Sequence, residues 1–442
     1  MNKKLHLASA LLFAAAAARA EGVDELKLDF HGAGWLQGGR VEASAGNPSA
    51  GNNYRKNYLG NAGGLLTVHS QVDSHWDGSL GLGSIFVHLA RGSKGISNKW
   101  YPFWVSFVDE ARLTRTGNLF TGDDKLELTF GTWHYAYNPD PKNFGNYLVH
   151  GYVYPGAIVS NLTGPLGVPQ AISGAMASYH NGGIGNDLIV QIETDDKPLY
   201  DISVSDILTW KPSAAFEIGA GVNFYRLLAA NDEATNPGKD CDPGRLGVYA
   251  GSGTATESPC YIIELDATGA AKDTVLASLA GTKVVGRLKF DPSAAGIIPE
   301  SMGAGAFSIY SEVAILGVKD YPRYYDKLLR RIPVMVGLNL PGFNFLNWSV
   351  EVEYYAQKNS NNNLAARNGS PIPSNDNELD NKRDDFKYSL NASKVIAGNF
   401  ILLGQIADDH LRLGGNHDED AGKEAMRTRS DWYWTTKIAY FF

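Results

Sequence analysis

The last twelve residues, DWYWTTKIAYFF (431–442), alternate between apolar and polar positions with a period of two. One parity carries mostly aromatic and aliphatic side chains: Trp432, Trp434, Thr436, Ile438, Tyr440 and Phe442. Successive side chains of a β-strand point to opposite faces, so the segment predicts a strand with one apolar face. A second sheet or lipid has to cover that face up to the last residue.

The same alternation recurs along the chain, for example in WSVEVEYY (348–355), RIPVMVGLNL (331–340) and FEIGAGVNF (216–224). Alternation alone fits both a soluble sandwich and a membrane barrel. About sixteen strands are predicted. They lie near residues 26–36, 63–73, 79–90, 101–115, 125–137, 172–180, 187–195, 202–212, 216–227, 282–292, 304–317, 331–340, 346–357, 385–396, 399–413 and 430–442.

The connections between these strands also alternate. Those after the second, fourth, eighth, twelfth and fourteenth strands are short, for example near 211–213, 341–343 and 397–399. Those after the first, fifth, ninth, thirteenth and fifteenth strands are mostly long and polar. Short periplasmic turns and long extracellular loops are typical of outer-membrane barrels. The sequence therefore predicts an all-β protein, a transmembrane antiparallel β-barrel of about 16 strands (roughly 14–18).

The N-terminus predicts export. Residues 1–20 contain two early lysines, a short apolar run and Ala-Arg-Ala, which is typical of a secretory signal peptide cleaved after Ala20. The alternative is a membrane anchor, but the apolar run is shorter than the ~20 residues that a spanning helix needs. The signal peptide carries three cations and no acid, so its removal changes the net charge from −8 to −11. The barrel is expected over 21–442, although a soluble exported enzyme also fits this length.

Together, the signal, the alternating strands and the terminal Tyr440-Phe441-Phe442 resemble the Gram-negative outer-membrane β-barrels, within them the general and sugar-specific porins, without indicating a subfamily. The resemblance implies that Ile438, Tyr440 and Phe442 form the signal read by the barrel-assembly machinery. It also implies contact with outer-membrane lipid and lipopolysaccharide, and a homotrimer as in general porins. Aromatic girdles at the membrane interfaces are expected from residues such as Trp100, Trp133, Trp210, Trp348, Trp432, Trp434 and Tyr440.

A barrel of about sixteen strands is too wide for its own side chains to fill. The polar alternate positions of the strands then face the lumen. They predict a pore lining of mixed charge, which selects solutes by size and charge. The alternative is that these are solvated positions without a selective role. The predicted lining is Lys27, Asp29, His31, Thr67, His69, Gln71, Glu110, Arg112, Glu127, Glu193, Asn223, Arg287, Lys289, Glu312, Glu351, Glu353, Lys387, Asn391 and Lys437.

The long connection 138–170 is rich in Gly, Pro and aromatic residues, which argues against disorder and for a functional loop. In porins the third outer loop folds into the barrel and forms the constriction. By this resemblance, the constriction residues are Asp140, Lys142, Asn143, Asn146, Tyr147 and His150. The alternative is an outer lid that packs on its own tyrosines.

The longest connection, 229–281, contains the two cysteines of the chain, Cys241 and Cys260. In an exported protein these predict a disulfide; a metal pair is the less favoured alternative. Residues 274–281 could add a short helix. Two acidic runs, 375–385 and 408–424, are interpreted as solvated outer loops, with bound Ca²⁺ or bridging to lipopolysaccharide as weaker hypotheses. No cofactor is expected.

The sequence lacks the local signatures of hydrolases, metalloproteases, P-loops and dinucleotide sites. Its acidic charge also argues against nucleic-acid binding. The predicted function is a non-enzymatic outer-membrane porin for passive diffusion of small hydrophilic solutes and ions. The alternatives are a channel specific for sugars or other organic solutes, a barrel hydrolase, and a structural barrel with a plugged lumen.

Overall fold

A computed structural model describes most of the chain. The described residues are 27–44, 55–56, 58–90, 103–120, 124–149, 154–156, 158–160, 171–194, 197–236, 261–265, 271–276, 278–298, 307–319, 325, 327–342, 345–356, 385–411 and 424–442. The predicted signal peptide, Trp100, His150, Cys241, Cys260 and residues 375–384 of the acidic run 375–385 lie outside them.

The described chain forms eighteen strands, sixteen of which close into one antiparallel barrel. The barrel begins with β1 (Lys27–Ala43), β2 (Tyr58–Gln71), β3 (Trp76–Ala90), β4 (Phe103–Gly117), β5 (Asp124–His134), β6 (Ala171–Asn181), β7 (Ile184–Ile192), β8 (Ile202–Ser213) and β9 (Phe216–Leu228). It continues with β12 (Gly281–Phe290), β13 (Ser308–Ile315), β14 (Pro333–Gly342), β15 (Phe345–Tyr355), β16 (Phe386–Ala397), β17 (Phe400–Asp408) and β18 (Trp432–Phe441). A separate hairpin pairs β10 (Tyr261–Leu265) with β11 (Ala271–Leu276). The predicted fold class is confirmed.

Closure occurs between the first and last strands. Leu36 pairs with Ile438, and Gln37 pairs with Lys437. Leu36 and Ile438 are exposed on the outer face, whereas Gln37 is buried on the inner face. The terminal residue also exchanges two backbone hydrogen bonds with Gly32, at 2.9 and 3.0 Å. The apolar parity of β18 thus lies on the outside of the barrel, and closure leaves no free sheet edge there.

Connections of two residues join β6 to β7, β8 to β9 and β16 to β17, all at one end of the barrel, while the longer connections lie mostly at the other end. Residues 291–307, between β12 and β13, are a longer connection at the short-turn end. The predicted turn at 211–213 is wrong by two residues, because β8 continues to Ser213 and the turn is at 214–215. No helix in the described part of the chain is long and apolar enough to cross a membrane.

Two further expectations are corrected. Residues 274–276 belong to β11 and not to a helix, because their backbone pairs with β10; the short helix of this connection, α1, is Asp232–Thr235. Trp133 is not an outer girdle residue: it is 4% exposed and packs inside the barrel. Trp210, Trp348, Trp434 and Tyr440 are exposed on the outer face, as a girdle requires.

Candidate functional site

Residues 135–149, which follow β5, fold into the barrel and are here called the inner segment. Its side chains Tyr137, Phe144, Tyr147 and Leu148 are buried. They pack against apolar side chains that the wall turns inward, among them Trp133, Ile172, Ile189, Ile207, Val285, Tyr310, Ala314, Leu316, Met335 and Tyr355. One side of the barrel interior is therefore a packed core, because this wall presents apolar rather than polar side chains to the lumen.

Glu312 on β13 binds both ends of the inner segment. Its carboxylate accepts hydrogen bonds from the Tyr137 hydroxyl at 2.6 Å and from the Asn138 side-chain amide at 2.9 Å. It also accepts the backbone N–H groups of Asn146 and Tyr147, both at 3.0 Å. Burial, reinforced by the Glu312 carboxylate, raises the pKa of Tyr137, so its hydroxyl stays protonated and donates.

Glu351 on β15 binds the middle of the inner segment. Its carboxylate accepts the backbone N–H groups of Lys142, Asn143 and Phe144, the last two at 2.9 Å. The Tyr310 hydroxyl donates a further hydrogen bond at 2.9 Å. Three successive backbone donors on one carboxylate fix the path of the chain, because charge-assisted hydrogen bonds are stronger than neutral ones.

Glu353, two residues further along β15, contacts both the inner segment and the connection that follows β17. It accepts the Tyr147 hydroxyl at 2.6 Å and lies 2.6 Å from Nε2 of His410. The other ring nitrogen of His410 lies 3.2 Å from Glu424, which also pairs with Lys387 at 2.7 Å. Burial lowers the pKa of His410, but the carboxylates of Glu424 and Glu353 outweigh burial and raise it to about 10.

Further contacts hold the inner segment at its tip. Asp140 pairs with Lys289 at 2.8 Å, and its backbone carbonyl accepts the Asn339 amide at 3.1 Å. The Asn143 side chain donates to Asp409 at 2.8 Å, and Asp409 also accepts the Tyr433 hydroxyl. The segment therefore crosses the interior from β5 to the wall formed by β12–β17.

The predicted lining residues fall into two groups. Glu312, Glu351, Glu353, Lys289 and Lys387 contact the inner segment or the outer connection after β17, and all except Lys289 are at most 2% exposed. In the constriction set, Asp140, Lys142, Asn143, Asn146 and Tyr147 all lie in the inner segment, so the structure brings them close to this first group of lining residues.

The second group contacts other residues of the wall, although Asn391 and Lys437 line a cavity that Lys142 of the inner segment borders. His31 is 2.9 Å from Asp29 and 5.3 Å, ring to ring, from His69, and its side chain is 58% exposed near the short-turn end. Glu193, just after β7, pairs with Arg226 of β9. The other contacts join neighbouring residues of the wall: Arg112–Glu110, Glu127–Lys125, Arg287–Glu217, Asn223–Ser205, Asn391–Ser389 and Lys437 over the Trp35 ring. Thr67 pairs in register with His31, and Gln71 with Lys27.

Part of the acidic run 408–424 is not a solvated face. Asp408, Asp409, His410 and Glu424 are all at most 4% exposed. They are buried because the described parts of the connection after β17, residues 409–411 and 424–431, contact Lys387 of β16 and Asn143 of the inner segment. Among the described residues, no cluster of His, Cys, Asp or Glu has the arrangement of a metal site.

Sequence reasoning missed several residues of this site. Tyr310 and Met335 lie on the inward parity of predicted strands, where polar side chains were expected, and a buried inner wall was not expected. His410 and Asp409 sit in a charge run that is indistinguishable from a solvated loop. The available signal was the aromatic content of 135–149, which requires apolar partners inside the barrel.

Gly337 on β14 illustrates the tight packing of this wall. The Tyr310 ring lies directly over it, and a Cβ added at Gly337 would be 2.1 Å from that ring. We expect Gly337→Ala to displace Tyr310 from Glu351 and to lower the free energy of unfolding by about 1–3 kcal/mol. The temperature at which the heat-modifiable barrel unfolds measures this loss of stability. Gly38→Ala, where a Cβ meets nothing within 4 Å, is the control; equal stability of both variants would contradict the packing.

No family model and no curated protein matches this chain. Among solved structures, two variants of the porin of Rhodopseudomonas blastica superpose with TM-scores of 0.42 and 0.44 at 8% sequence identity. Each alignment covers 95% of this chain and 100% of that porin. These scores are low, so the fold assignment rests on the strand pairing itself. A closed barrel of sixteen strands with a segment folded inward after β5 is the porin-like architecture expected from the sequence.

Proposed function

We propose that this protein is an outer-membrane porin that lets small hydrophilic solutes and ions diffuse passively through a water-filled channel. The observation that carries the proposal is the inner segment, held inside a wide barrel by Glu312, Glu351 and Glu353. An empty barrel of sixteen strands has an aqueous interior, and a segment fixed across it narrows the passage without needing any covalent chemistry.

The outer face supports a location in the outer membrane. It presents a band of exposed apolar side chains such as Phe30, Leu36, Leu188, Leu208 and Val336. Lipid is the environment that such a face requires, and the barrel satisfies its own backbone hydrogen bonds. Insertion through the signal at Ile438, Tyr440 and Phe442, contact with lipopolysaccharide, and a homotrimer belong to the same proposal.

Planar-bilayer recording of the refolded mature chain tests this function. We expect steady open steps whose conductance scales with salt concentration, and a salt gradient gives the ion preference. A folded, heat-modifiable barrel that produces no steps would contradict the proposal. That result would favour the plugged barrel, or the hydrolase if esters or peptides are cleaved.

A further inference from the structure

A cavity of about 110 Å³ lies inside the barrel beside the inner segment. Its wall is built from two neighbouring inward rows that cross β15 to β18. One row is Asn347, Ser393, Leu403 and Lys437; the next is Ser349, Asn391, Gln405 and Thr435. Lys142 of the inner segment borders the cavity. A volume of this size holds several waters or a small organic solute.

The charge of this cavity differs from that of the protein. The mature chain is acidic, but the residues lining the cavity include two lysines and no Asp or Glu. Lys437 lies over the Trp35 ring at 5.0 Å, and no described carboxylate is within ion-pair distance of its ammonium group. The nearest acidic residue along these strands, Glu351, uses its oxygens to bind the inner segment. The cavity is therefore suited to an anion.

The polar groups of the wall indicate which further groups a bound solute should carry. The amide oxygens of Asn347, Asn391 and Gln405 are buried and accept no hydrogen bond from the protein. The amide nitrogens of Asn391 and Gln405 already donate, to Ser389 at 3.0 Å and to Asn143 at 3.2 Å, which leaves the oxygens as the amide groups still without a donor. A buried oxygen acceptor without a donor is costly, so a bound solute should supply hydroxyl donors.

We propose that this cavity is a binding subsite for small hydroxylated carboxylates of the sugar-acid class. Lys437 binds the carboxylate, with Lys142 at the border of the cavity, the amide oxygens accept from the hydroxyl groups, and Leu403 contacts the carbon skeleton. Alternative ligands satisfy only part of the wall. A neutral sugar has no charge to pair with Lys437. A fully ionised inorganic anion has no donors for the amide oxygens, and a divalent cation is repelled by the lysine charge. The inference rests on the proposed function and specifies its substrate class.

Titration of the single-channel current with sodium D-galacturonate tests the proposal. D-galactose serves as the neutral counterpart, and propionate as an acid without hydroxyl groups. We expect galacturonate to reach half-block at a concentration at least roughly tenfold below that of either probe. Equal half-block concentrations for galacturonate and galactose in a conducting channel would overturn the subsite and leave the pore intact. A folded barrel without current would overturn the proposed function instead.

Substitutions assign the effect to this wall. We expect Lys437→Gln to raise the galacturonate half-block concentration roughly tenfold and to leave that of galactose unchanged. Asn391→Leu should weaken galacturonate but not propionate. Lys211→Gln, at the short-turn end of β8, is the charge-matched control and should leave galacturonate block unchanged. If Lys437→Gln fails to fold, Lys142→Gln provides the same readout. An unchanged galacturonate block in the folded lysine variant would overturn the proposal.

Discussion

Replacing Glu351 with alanine should release the inner segment and widen the channel. The substitution removes the acceptor shared by three consecutive backbone N–H groups and the Tyr310 hydroxyl. These donors then remain buried without a partner. We therefore expect the bound position of the inner segment to be destabilised by about 3–5 kcal/mol relative to its released state. Mean single-channel conductance should rise by roughly half or more, with added current noise as the segment moves.

The matched control is Glu127→Ala. Glu127 is also an inward carboxylate, but it pairs with Lys125 at 2.6 Å and does not contact the inner segment. Conductance and heat stability of this variant should stay close to those of the unmodified protein. If both glutamate variants change conductance equally, the effect reflects lost negative charge in the lumen and not release of the segment. Unchanged conductance in Glu351→Ala would show that the segment does not narrow the passage.

The outer face of the barrel was predictable because lipid imposes one simple rule. Every lipid-facing position must be apolar or small, so Trp348, Val350, Val352 and Tyr354 reveal both the strand and its orientation from sequence alone. Strand ends were less accurate. β1 extends to Ala43 rather than 36 and β2 begins at Tyr58 rather than 63, because pairing continues through a glycine-rich region with weak alternation.

The inner face obeys no such rule, and there the sequence was less informative. A Glu on the inward parity predicts a wet position, but it equally fits an anchor for backbone donors from a distant loop. Glu312 and Tyr147 are far apart in sequence, and nothing local indicates that they meet. The aromatic residues of 138–170 indicated an ordered loop, and in the structure Phe144 and Tyr147 of this stretch pack inside the barrel. The buried state of Glu424 depends on tertiary packing alone.

His410 gives the fold a stabilising charge that alkaline pH removes. Its ring is buried between Glu353 and Glu424, with the Phe144 and Tyr355 rings as further neighbours, and Asp409 is adjacent in the chain. The pKa is raised to about 10 in the folded protein, above the unfolded value of about 6.5. A group whose pKa is raised on folding contributes its full stabilisation when the pH lies below its pKa in the unfolded chain. That stabilisation, a few kcal/mol, is lost as pH rises from about 6.5 through about 10.

We therefore expect the midpoint temperature for loss of the heat-modifiable barrel to fall steadily between pH 7 and pH 10. His410→Asn should be less stable than the unmodified protein at pH 7 and should show a flatter pH profile, so that the two profiles converge near pH 10. His75→Asn, in the exposed turn between β2 and β3, is the control and should retain the original profile. If the His410→Asn profile runs parallel to that of the unmodified protein, another group causes the loss of stability between pH 7 and pH 10. Convergence would show that the charged imidazolium fastens the connection after β17 to the wall that holds the inner segment, because Glu353 binds both His410 and Tyr147.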